Sequence, residues 1–113
     1  DQRQVDELLA AGADPNGVSP QGSTPLMVAA FGASPAVVHA LVAAGAQVNR
    51  QAGDGSTALM KAALWGRPEI VQALLALGAD PALQDTEGWT AERIAHTREH
   101  HEIARLIAAA TMR

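Results

Sequence analysis

The sequence predicts an all-α solenoid of stacked helix-turn-helix units, and three observations carry that expectation. The 113-residue chain matches itself when slid by 33 positions, with no insertion. Gly22, Gly55 and Gly88 coincide, as do Thr24, Thr57 and Thr90, and Ala29, Ala62 and Ala95. A second set, Gly12, Gly45 and Gly78 with Val5, Val38 and Val71 ahead of it, has the same period. A period of this length marks a stacked repeat array. The second observation is composition: 48% of the chain is hydrophobic but only 3% aromatic, and alanine, at 25 residues, makes up the difference. Such a chain buries area by bringing backbones close together, and it disfavours a sandwich or barrel built from aromatic and β-branched strands. The third is punctuation: short apolar stretches open on Thr or Ser-Pro and close on glycine, as short helices do.

Taken in order, Asp1 to Ala11 match only the second helix of a unit, so further repeat sequence is expected upstream, or else a lone helix serving as a cap. Thr24 is placed to cap a helix with Pro25 at its first position, where the missing N–H costs nothing. That helix is expected over Pro25 to Phe31, with Leu26, Ala29 and Ala30 inward. Ser34-Pro35 opens a second helix through Ala44, which Gly45 ends in a left-handed cap. Thr57 and Arg67-Pro68 start the matching helices of the next unit, which closes at Gly78. Asp14-Pro15-Asn16-Gly17 and Gly53-Asp54-Gly55 have turn chemistry. Helices of roughly eight to eleven residues are marginal alone, so each must stack on its neighbours. The expected division is one domain over 1–113, with a partial unit at 1–16, units at 17–49 and 50–82, and a C-terminal capping unit at 83–113.

Composition also excludes function classes. A net charge of −4 and a pI near 5.4 argue against nucleic-acid binding, which needs a basic footprint for phosphates. No apolar run approaches the roughly 18 residues of a membrane span. With no cysteine, disulfides, thiolate catalysis and Cys-ligated zinc are all ruled out.

Thr24-Pro25-Leu26-Met27-Val28-Ala29 and Thr57-Ala58-Leu59-Met60-Lys61-Ala62 stand one period apart. Leu8-Leu9 leads to Gly12-Ala13-Asp14-Pro15-Asn16, and Leu74-Leu75 to Gly78-Ala79-Asp80-Pro81. In these motifs the whole chain resembles the ankyrin repeat family, whose signature is T-P-L-H-x-A. Four departures stand out. Met27 and Met60 replace the signature histidine, and Glu92 stands where a buried leucine is usual, as suits a terminal unit facing water. Glu99 replaces the glycine between the last two helices, and Gly32 comes one position early.

The resemblance implies a cupped array that meets partner proteins with its turn tips and the exposed ends of its first helices. Carried over position by position, the implied binding residues are Gln21, Ser23, Phe31, Asp54, Ser56, Leu64, Trp65, Glu87, Trp89 and Arg98. All three aromatic residues of the chain fall in this set. Aromatic and arginine side chains are the usual interface anchors. Phe31, Leu64, Trp65 and Trp89 are therefore expected as apolar anchors, and Gln21, Asp54, Glu87 and Arg98 as polar rim. Both tryptophans can equally be structural residues packed on neighbouring turns.

Other chemistry is poorly supported. His96 and His100 are separated by the inter-helix turn and do not share a helical face, unlike the pair of an H-E-x-x-H zinc site. Asp85 and Glu87 lie near a turn tip, where carboxylates ordinarily serve turns and solvent. Lys61, the only lysine, is expected to run its stem along apolar surface with the ammonium in water. The expected function is non-catalytic protein–protein interaction by a monomer, without cofactor or metal, through the concave face. One alternative is a regulatory or targeting segment of a larger protein whose other domain acts. The other is a metal protein or enzyme using His96, His100 and His101. Cytoplasm is the expected compartment, with a periplasmic or secreted product after signal removal as the alternative.

Overall fold

The computed structural model describes residues 17, 23–32 and 34–111. Six helices follow one another among them: α1 (Pro25–Gly32), α2 (Pro35–Ala43), α3 (Ala58–Trp65), α4 (Pro68–Ala76), α5 (Ala91–Thr97) and α6 (His101–Thr111). The helix expected at Asp1 to Ala11 and most of the turn at Asp14 to Gly17 lie outside the described residues.

The three first helices form one row, α1 on α3 and α3 on α5, and the three second helices form another, α2 on α4 and α4 on α6. Each first helix also packs on its own second helix. This is the all-α stack of helix-turn-helix units that the 33-residue period predicts. A single core runs between the rows. The first helices supply Ala29 and Ala30, Ala62 and Ala63, and Ala91 and Ala95, and the second helices supply Val37, Leu41, Ile70, Leu74, Ile103 and Ile107, all buried. Small side chains on the inner row let short helices approach closely, which explains a hydrophobic chain so poor in rings.

The local signals act as read, with one exception. Thr24, Thr57 and Thr90 each accept through the side-chain hydroxyl from the amide three residues on, at 3.3, 3.2 and 3.3 Å. Each caps a first helix, an interaction worth about 1 kcal/mol. Pro35 and Pro68 sit in the first turns of α2 and α4. Ser34 occupies the position before Pro35, but its side chain makes no cap hydrogen bond. The Ser34 carbonyl accepts instead from the Val37 amide at 3.0 Å. The helix ends also move slightly: α1 runs one residue past Phe31, and α2 stops at Ala43 with Ala44 as its cap.

Two turn fingers, before α3 and before α5, have the same hydrogen bonds one period apart. Ala52 N–H donates to Ser56 C=O at 2.8 Å and Gly55 N–H to Ala52 C=O at 2.9 Å; Asp85 N–H donates to Trp89 C=O and Gly88 N–H to Asp85 C=O, both at 3.0 Å. The fingers are bonded to each other. Gln51 Nε2 donates to Gly55 C=O and to Gln84 C=O, both at 2.9 Å. Thr86 donates twice to Asp54 C=O, through its amide and its hydroxyl, both at 3.0 Å. Just ahead of the first of these fingers, Asn49 accepts from Asp80 N–H at 2.7 Å and donates to Gly78 C=O at 3.2 Å.

Candidate functional site

A groove of about 300 Å³ opens between these two fingers and the first helices α3 and α5. Its finger wall carries Asp54, Ser56, Asp85, Glu87 and Trp89; its floor and far end carry Met60, Lys61, Leu64, Ile94, Thr97 and Arg98. Six of the ten residues expected from the resemblance therefore meet in one place: Asp54, Ser56, Leu64, Glu87, Trp89 and Arg98.

The fingers hold their shape with the carboxylates they present. Asp85 Oδ1 accepts from the amides of Glu87 and Trp89, both at 2.9 Å. Asp54 Oδ1 accepts from the Ser56 amide at 3.0 Å. That amide is the main reason the Asp54 carboxyl is held below its ordinary value of 3.8, with the Lys61 charge adding to it and desolvation opposing it. Asp85 thus fixes the shape of its own turn.

Ser56 is only 8% exposed, and its amide donates to Asp54 Oδ1. Trp89 is half-buried, and the Arg93 guanidinium lies 4.2 Å from its ring centroid. One face of this ring is already occupied by a cation.

Phe31 and Trp65 stand outside the groove, at the ends of α1 and α3. Their rings meet edge to face, with centroids 4.9 Å apart and planes at 82°. They remain 55% and 36% exposed, and Val28, on α1, is 59% exposed. Lys61 Nζ lies 5.9 Å from the Trp65 centroid, so the lysine stem bridges this aromatic pair to the groove. Ser23 is half-buried beside the Thr24 cap, and Gln21 lies outside the described residues.

Met60 and Ile94 line the groove although neither is among the ten residues the resemblance implies. Ile94 is equivalent by period to Lys61 and Val28, so the column Val28–Lys61–Ile94 was available as a signal. The histidines diverge. His96 Nε2 lies 3.6 Å from Glu92 Oε2, whereas the His100 ring packs against Gly66. Among the described residues no three His, Asp or Glu side chains are gathered so as to hold a metal ion. Nor is any helix among them long and apolar enough to cross a membrane.

A family model described as ankyrin repeats, in three copies, matches residues 1–85 and 54–112. No curated protein matches the chain. With the match extending over almost the entire sequence and the helices stacked in two rows, the chain belongs to the ankyrin-repeat family, whose members generally act as protein–protein interaction modules and typically lack catalytic activity.

Proposed function

We propose that the protein is a monomeric, non-catalytic binding module that takes a partner protein on its concave face, in the groove between the fingers and the first helices. With units at 17–49, 50–82 and 83–113, this groove lies across the junction of the last two. The observation that carries the reading is the coincidence of the groove with a neighbouring exposed apolar patch, Val28, Phe31 and Trp65. Contiguous apolar exposure of this kind is characteristic of interaction surfaces. Trp65, Phe31, Leu64 and Trp89 supply apolar contact, and Asp54, Glu87 and Arg98 polar selectivity. Fingers already bonded to each other lose little further freedom on association, which favours affinity.

The test combines Trp65→Ala with Trp89→Ala, follows folding by thermal melting, and measures recovery of partner proteins on the immobilised module. Loss of specific partners by a folded double variant is the expected result. Unchanged recovery would remove both rings as anchors.

A further inference from the structure

The groove has a sign at each end. Its finger wall carries the carboxylates of Asp54, Asp85 and Glu87, and Arg98 stands immediately after α5, while Lys61, midway along α3, is close enough to Asp54 to favour its ionised form. Asp85 accepts from two amides and Asp54 from one, each through Oδ1. Glu87 and Arg98, both exposed, have no hydrogen bond or ion pair through their side chains within the described residues. Lys61, whose ammonium lies 5.9 Å from the Trp65 centroid, is likewise without an ion pair among the described residues. Leu64 and Ile94 lie between Glu87 and Arg98 as an apolar floor.

Glu87 lies in the finger ahead of α5 and Arg98 directly after it, so their backbones stand beyond opposite ends of a seven-residue helix about 10 Å long. An extended chain advances about 3.3 Å per residue and returns a side chain to the same face at every second residue. Five residues, four steps apart from first to last, therefore span about 13 Å and place three side chains on the groove side. An extended segment of this length matches the separation of the two charges and can lay one apolar side chain between them.

Within the protein-binding role proposed above, we infer that the groove takes an extended peptide segment of the pattern basic–x–apolar–x–acidic, or its reverse in chain direction. The basic residue meets Glu87 and Asp54, the apolar residue rests on Leu64 and Ile94, and the acidic residue meets Arg98. Opposite signs at the two ends also reject a segment laid the wrong way round, because each end then faces a like charge.

A random peptide library displayed on phage, panned against the folded chain, provides the test. Enrichment of a basic and an acidic residue four positions apart around an apolar one is expected. Neutralising either charge in an enriched peptide should weaken binding about fivefold. Panning on the double charge reversal Glu87→Lys with Arg98→Glu should enrich the opposite chain order, with thermal melting confirming that the variant folds. Enriched peptides without charge order, the same order on both targets, or no enrichment at all overturns the inference. Peptides that lose binding to the Trp65→Ala and Trp89→Ala variant but show no charge order leave the concave-face reading standing. Peptides that bind that folded variant unchanged count against the concave-face reading as well.

Discussion

Gly66 and Glu99, equivalent positions of two adjacent units, hold the same left-handed backbone, at φ 70° and 61°. Glycine enters this region freely, whereas a residue with a Cβ is strained by roughly 1–2 kcal/mol there. Replacing Glu99→Gly relieves that strain and gives back part of it as unfolded-state entropy, so a net stabilisation of about 0.5–1 kcal/mol is expected in urea unfolding. The reverse change, Gly66→Ala, meets both problems, because a Cβ there would stand 2.8 Å from His100 Cε1. It should destabilise by about 2 kcal/mol.

Gly55 is the tightest point of the seam between the fingers. It has φ 83°, and a Cβ would lie 2.7 Å from Thr86 N and 2.8 Å from Asp85 Cα. Backbone cannot swing aside as a side chain can. Gly55→Ala is therefore expected to cost about 2–3 kcal/mol and to weaken the Thr86–Asp54 bonds. Faster exchange of the Thr86 amide hydrogen checks the second effect.

Asp54 gives the fold a pH dependence of known sign. Its folded-state value is depressed below 3.8, chiefly by the Ser56 amide. The ionised group therefore contributes stability that is fully present above the unfolded value and lost as pH falls through the lowered one. Compared with Asp54→Asn, the wild-type chain should be the more stable at neutral pH, and the difference should close on acidification below about pH 4. A gap that stays constant down to strongly acid pH would assign the bond's effect to geometry alone.

The Phe31–Trp65 contact couples two units through rings that both remain partly in solvent. Edge-to-face pairs contribute about 0.5–1.5 kcal/mol beyond burial, and this exposed one belongs at the lower bound. A double-mutant cycle of Phe31→Leu and Trp65→Leu should return a coupling of about 0.5 kcal/mol. A coupling indistinguishable from zero would show two independent rings.

The fold was readable because its signals are local chemistry repeated at a fixed interval. Thr24, Thr57 and Thr90 cap helices through bonds to residues three positions away, which any sequence reader can anticipate. The site was readable only in part. Position in the repeat placed Glu87 and Arg98 at the groove, but the burial of Ser56 depends on how its own finger folds back over it. The Phe31–Trp65 contact joins positions that are not equivalent by period, so it depends on the offset between α1 and α3. Arg93 and Trp89, four apart across the Thr90 cap, were within reach of sequence reasoning. Met60 and Ile94 enter the groove because α3 and α5 present those positions beside the fingers, a consequence of stacking.

The polar bonds from Gln51, Thr86 and Asn49 each reach across one unit boundary and go no further. Arg67, donating to the Phe31 carbonyl at 2.8 Å, does the same across the boundary that Asn49 bridges. A molecule laced only between neighbours behaves under mechanical load like a zip rather than a block. Pulled from its ends, it should open tooth by tooth, with the Gln51 and Thr86 bonds setting the force at which the last boundary parts. A peptide lying across that same boundary would raise that force without touching the rest of the stack.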